Sequence, residues 1–180
     1  MLTIVIPGIE IYNEETNEFS STKDQVLTLE HSLVSLSKWE SSWCKPFLSK
    51  SIKTHDESID YIRCMTLTQN VSPSVYLAIT NDIMDQVGIY IDAPMTATTF
   101  SKNENRQINK EVVTAEIIYY WMIALNIPLE CQKWHLNRLL TLITVCNIKN
   151  QPAKKMGKKE LMRRNAALNE MRRQQLNTKG

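Results

Sequence analysis

The spacing of apolar residues changes once along this 180-residue chain, near residue 32, and that change restricts the folds open to it. Leu2-Thr3-Ile4-Val5-Ile6 is rich in β-branched residues and ends at a turn signal, Pro7-Gly8. Ile9-Glu10-Ile11-Tyr12 alternates apolar with polar, and Gln25-Val26-Leu27-Thr28-Leu29-Glu30-His31 alternates again, with Val26 on the other side of the strand from Leu27 and Leu29. The polar run 13–18 between them reads as a loop. Two or three antiparallel strands are expected before residue 32.

Beyond residue 32 the period is three to four. Leu33, Leu36, Trp39 or Glu40, and Trp43 predict a helix over 33–43, with Ser37 and Glu40 as flanking polar positions and Pro46 blocking its continuation. Thr54-His55-Asp56-Glu57 reads as a capping box opening a helix with the stripe Ile59, Ile62, Met65. Ser72-Pro73 and Thr80-Asn81-Asp82 each open a short helix, the second carrying Ile83, Met84, Val87, Tyr90 and Ile91 and ending before Pro94. Residues 95–110 hold no period and read as a surface loop.

The stretch 111–125 is apolar nearly all round, so it is expected to be the central helix, covered on most sides. Asn126-Ile127-Pro128 stops it and starts an amphipathic partner over 129–147, predicting a helical hairpin. The expected fold is therefore α+β, mainly α. A small N-terminal antiparallel β-hairpin or sheet precedes a helical bundle in a globular body, residues 1–152, followed by a basic C-terminal helical arm, residues 153–180.

Charge separates the two parts. Residues 149–180 carry ten Lys/Arg against two acids, whereas residues 1–148 carry eleven against seventeen, a contrast concealed by a formal net charge of +2. Opposite blocks on one small chain suggest that the arm docks on something acidic, and Lys154, Lys155, Lys158, Lys159, Arg163, Arg164, Arg172 and Arg173 are the expected partner-binding residues. The arm's apolar line, Leu161, Leu168, Met171 and Leu176, is too thin to hold a helix of this length alone, so it needs a surface to lie on. Nucleic acid is the less favoured surface. Aromatics are absent after Trp134, and the acidic body would repel a polyanion.

No catalytic pattern competes with this. Four glycines in the whole chain exclude the glycine-rich phosphate cradles, which need several in one short loop. Cys131 and His135 stand four apart and could share a metal on a helix, but Cys146 would lie roughly 22 Å further along it and could not complete the site. No metal or cofactor is expected, and the four dispersed cysteines read as reduced thiols of a cytosolic protein. Glu10, Glu14, Glu15 and Glu18 form an acidic loop better suited to solvent or docking than to catalysis. Trp39, Trp43, Trp121 and Trp134 fall beside Leu or Ile on expected helices, as core residues do. Met1–Ile6 lacks the basic start and long apolar run of a signal peptide, and the longest apolar run, 117–125, is about half of the ~20 residues needed to span a bilayer. A non-enzymatic protein without membrane association is expected.

Three stretches carry a resemblance: Leu29-Glu30-His31-Ser32-Leu33-Val34-Ser35-Leu36-Ser37-Lys38-Trp39-Glu40, Lys45-Pro46-Phe47-Leu48, and Tyr119-Tyr120-Trp121-Met122 through Trp134-His135-Leu136-Asn137-Arg138-Leu139. With them nearly the whole chain resembles small tail-morphogenesis proteins of tailed bacteriophages and prophages. The resemblance implies either a tail assembly chaperone that binds the tape-measure protein, or a minor tail or baseplate component of the virion. The partners it implies are other phage tail proteins and possible further copies of the chain. The location is the cytoplasm of the infected bacterial host or the virion tail, and no family active site is implied.

Overall fold

Alternation at the N-terminus produces one β-hairpin. The computed structural model describes residues 1–8, 10–13, 18–21, 23–100, 112–150 and 158–176, with the backbone alone at 11–13, 18–21 and 158–161. Strand β1 (Leu2–Ile6) pairs antiparallel with β4 (Gln25–Leu29), and β2 (Glu10–Asn13) with β3 (Glu18–Ser21). Leu2 lies opposite Leu29 and Asn13 opposite Glu18 in a single register, so the two pairs are the base and the tip of the same hairpin. Period two turns Ile4, Ile6, Leu27 and Leu29 into the core and leaves Val5 opposite Val26 on the outer face.

Ser32 then caps helix α1 (Leu33–Trp43) with its hydroxyl on the Ser35 amide, and Cys44 ends it in the left-handed region at φ 50° before Pro46. Helix α2 (His55–Met65) opens on the capping box read from Thr54 and Glu57, with both reciprocal bonds formed. Tyr61 joins Ile62 and Met65 in its buried stripe, while Ile59 is only half-buried. The chain leaving α2 covers the free edge of β4. The Glu30 amide donates to the Met65 carbonyl at 2.9 Å, the Leu67 amide to the Thr28 carbonyl at 2.8 Å, and the Thr28 amide to the Thr68 hydroxyl at 3.0 Å.

A 3-10 helix (Pro73–Ala78) follows with Pro73 in its first turn; Ser72 bonds Ser74 and does not cap it. Thr80 caps α3 (Asn81–Asp92), which packs against β1. The expected loop over 95–110 lies outside the described residues from 101 onward.

Two expectations for the second half are corrected. Helix α4 (Ala115–Ala124) is shorter than 111–125 and is not wrapped on most sides. It packs on α1 through Ala115, Ile118 and Met122, whereas Tyr120 and Ile123 are 67% and 68% exposed. The hairpin turn at Asn126 forms as read, with φ 52°, but no single helix runs over 129–147. A 3-10 helix (Leu129–Lys133) gives way to extended backbone at Trp134, and α5 begins only at Leu136 and runs to Asn150. The break has a cause. The Leu136 amide donates to the His31 carbonyl at 2.7 Å, and Ser32 and His135 form an antiparallel bridge, so this backbone is paired with the hairpin's exit instead of with its own preceding turn.

Leu29, Leu33, Leu36, Trp39, Met65, Ile118, Met122, Leu136 and Leu139 form the centre of one core with the hairpin base. The fold is α+β and mainly helical. The chain divides into two compact units, Met1–Cys146, which holds this core, and Asn147–Gly180, which carries α6 (Lys158–Leu176). No helix among the described residues is long and apolar enough to cross a membrane.

Candidate functional site

The Ser32–His135 bridge has a chemical consequence: it brings two imidazoles together in the core. The rings of His31 and His135 meet edge to face with centroids 5.1 Å apart, and the residues are 2% and 5% exposed. The Asn137 amide donates to His135 Nδ1 at 3.3 Å, so that nitrogen carries no proton, and Nε2–H donates to the Tyr90 carbonyl at 3.1 Å. His135 is thereby held neutral, and burial lowers its pKa in the same sense. His31 Nδ1 lies 2.6 Å from the Tyr61 hydroxyl. Burial, reinforced by the His135 imidazole, pushes His31 down to about 3.

The surrounding groups complete the network. The Tyr90 hydroxyl donates to Glu30 Oε1 at 2.8 Å, and burial together with that carboxylate raises its pKa; burial raises Tyr61 likewise. The Asn137 side-chain amide donates to the carbonyls of Ile91 and Ala93, both at 2.9 Å. Asn137 thus supplies donors to the carbonyls of Ile91 and Ala93 at the end of α3, and His135 adds a second bond to the Tyr90 carbonyl, which also accepts the Ala93 amide. Every buried side-chain nitrogen and oxygen among the described residues has a hydrogen-bond partner. The cluster acts as a polar clasp joining β4, α1, α3 and α5. Its two histidines gave no local sign in the sequence, because only the broken helix at Trp134 brings them together.

A second buried carboxylate, Glu40, at once an alternative to Trp39 in the stripe of α1 and a flanking polar position by sequence, points inward beside a buried Trp39. Oε1 accepts the Phe47 amide at 2.8 Å and Oε2 the Ala115 amide at 2.7 Å. Thr114 makes no side-chain cap, so Glu40 from α1 supplies the negative charge and acceptor at the start of α4. Glu57, buried under α1, takes the Lys45 ammonium and the Thr54 amide, and these two bonds hold its carboxyl below the usual range.

Cys131 and His135 do not share a helix. Cys131 is buried in the 3-10 turn and His135 lies beyond it, and no group of three or more His, Cys, Asp or Glu among the described residues could hold a metal. Trp39 is buried with its indole N–H on the Glu57 carbonyl at 2.8 Å, and Trp43 reaches Asp60 at 2.8 Å. Trp121 and Trp134 are half-buried against the core, the latter under the Arg138 guanidinium at 4.2 Å. Of the acidic loop, Glu10 is exposed, Glu14 and Glu15 lie outside the described residues, and Glu18 is described by its backbone alone.

The expected partner-binding residues fall in the second unit. Arg163, Arg164, Arg172 and Arg173 are exposed on α6; Lys158 and Lys159 open that helix with only their backbone described, and Lys154 and Lys155 lie outside the described residues. At 3.6 residues per turn, Arg164, Leu168 and Arg172 share one face of α6, with Met171 beside them and Arg173 opposite.

Among the described residues, two clefts of the first unit stand out. One, of about 370 Å³, is mostly apolar in surface, with Met1, Val34, Met65 and Leu67 in its lining, and carries the charged Glu30, Lys38 and Lys133 beside Cys64. Burial and the Asp60 carboxylate raise the Cys64 thiol above its ordinary range, which leaves it a poor nucleophile. The other, of about 180 Å³, is apolar and lies between α2 and α3, with Ile62 and Tyr61 on one side and Met84, Val87, Gly88 and Ile91 on the other. Comparison of the chain with protein-family models, with curated proteins and with solved structures finds no match.

Proposed function

We propose that this protein is a non-enzymatic assembly factor for a bacteriophage tail, acting through protein contacts made by its basic C-terminal helix in the cytoplasm of the infected host. The observation that carries the reading is α6, 19 residues long, with every described side chain exposed from Met162 to Leu176. Helices in proteins draw most of their stability from packing an apolar face, so one that exposes Leu168, Met171 and four arginines is built to be completed by another surface. Its charge selects an acidic one. The resemblance to tail-morphogenesis proteins supplies the setting.

Of the two roles in that setting, the chaperone is favoured by α4, whose exposed Tyr120 and Ile123 offer apolar surface of the kind that seats a client. The tape-measure protein is the expected client. Co-expression followed by affinity capture tests this: the wild-type chain retains the tape-measure protein, and replacing Arg163, Arg164, Arg172 and Arg173 by Glu abolishes retention. Stoichiometric amounts of the polypeptide in purified virions, measured by mass spectrometry, would assign it instead to the finished tail. Retention of duplex DNA with the steep salt dependence of phosphate neutralisation, and of no tail protein, would replace the whole reading with a nucleic-acid one.

A further inference from the structure

The apolar cleft beside α3 has three properties that a filled core site does not need. Gly88 sits in the middle of a helix, where glycine costs roughly 1 kcal/mol relative to alanine, yet a Cβ built there meets nothing within 4 Å. The missing side chain leaves the cleft open to a close approach. Its volume, about 180 Å³, exceeds that of cavities known to take a six-membered ring (~150 Å³), so one Leu or Met side chain fits. The solvent side of α3 next to it is acidic, although neither acid lines the cleft. Asp85 and Asp92, three residues before and four after Gly88, flank it on the helix surface, and both are exposed. The inner wall holds the cleft's one cation, Lys53, with its ammonium over the Phe47 ring at 4.4 Å.

α6 carries the complement. Leu168 lies between Arg164 and Arg172 on one face, and the two arginines are separated by about 12 Å along the axis, against about 10 Å between Asp85 and Asp92, at 1.5 Å per residue. We infer that the cleft receives Leu168 from the α6 of a second copy, with Arg164 and Arg172 reaching Asp92 and Asp85, so that copies join head to tail. The buried leucine anchors the contact, and the ion pairs set its direction and exclude other partners. Such a contact is heterologous: each copy has one cleft and one arm, and copies add until a ring closes or a filament grows. This deepens the reading of α6 as a protein-binding arm and rests on it.

Sedimentation of the full chain over a range of concentrations tests the inference. Wild type increases in weight-average mass with concentration. Gly88→Leu, which fills the cleft while substituting a better helix former, stays monomeric, as does Arg164→Glu/Arg172→Glu. An equimolar mixture of these two variants stops at a 1:1 dimer, because only one cleft and one complementary arm remain. Asp85→Lys/Asp92→Lys provides a cleft variant confined to the surface. It is monomeric alone and regains growth when mixed with Arg164→Glu/Arg172→Glu, in which both charges are reversed to match. A wild-type chain that stays monomeric throughout, a Gly88→Leu chain that associates as wild type does, or mixtures that remain monomeric would overturn the proposal. Capture of a tail protein by the arginines in that event would leave the proposed function standing with a different acidic partner.

Discussion

Acidification from about pH 7.5 to about pH 5 is expected to remove roughly 2 kcal/mol of stability through His31 alone. Its folded pKa, about 3, lies below the 6.5 of the unfolded chain, so the unfolded state binds the proton more readily. The stabilisation is therefore complete above pH 6.5 and declines steadily down to about 3. His135 is lowered too and adds a loss of the same sign. Glu57 does not confuse the window, because its folded pKa lies below 4.5 and its contribution is lost only at still lower pH. Urea denaturation followed by tryptophan fluorescence, with buried Trp39 as reporter, reads the effect as a fall of ~1 M in midpoint for a typical slope near 2 kcal/mol per molar. His31→Leu should be less stable at neutral pH, having left Tyr61 without its partner, but should lose much of the pH dependence. A midpoint that is flat between pH 7.5 and 5, or a His31→Leu chain with the full wild-type decline, would refute the assignment of the clasp as a pair of neutral imidazoles.

Glu40→Gln should cost about 2–4 kcal/mol in the same denaturation assay, since an amide can accept only one of the two backbone donors and turns its own NH2 toward the other. Gly88→Ala should raise stability by about 0.5–1 kcal/mol, measured as a higher melting temperature, because the added methyl meets nothing and removes the helix cost of glycine. Tyr120→Ser with Ile123→Ser should leave stability within about 1 kcal/mol while weakening retention of the tape-measure protein; a much larger loss of stability would mean that α4 is covered in solution.

Much of the first half was legible because its signals are local. A capping box, a proline stop and a period of two or three to four each depend on residues within a turn or two of one another, and Thr54 with Glu57, Pro46 and the hairpin base followed them. What was not legible depends on distant pairing. Helical spacing allows Glu40 in the buried stripe but its charge argues for the flank, and it satisfies amides at Phe47 and Ala115 that only the tertiary fold brings within reach. Residues 129–147 have an unbroken amphipathic pattern, and nothing within it reveals that the Leu136 amide is taken by His31. The clasp was invisible for the same reason. The apolar run 117–125 misled in the other direction, because composition reports how much surface a helix could bury and not whether a neighbour is present to bury it. The arginines of α6 were visible as a charge block, whereas the cleft that suits them is an absence of side chain at Gly88, which carries no weight in a charge or hydropathy reading.

The end of α3 is fastened by side chains that lie more than forty positions further along, at His135 and Asn137. A chain emerging from the ribosome therefore completes α3 well before its clamp is synthesised, and for that interval its last turn is held by Tyr90 on Glu30 while the carbonyls of Ile91 and Ala93 lack the Asn137 amide. Vectorial synthesis leaves it the last early element to become protease-resistant, and translation arrested short of Asn137 should yield a nascent polypeptide nicked near Tyr90 while the hairpin and α1 survive.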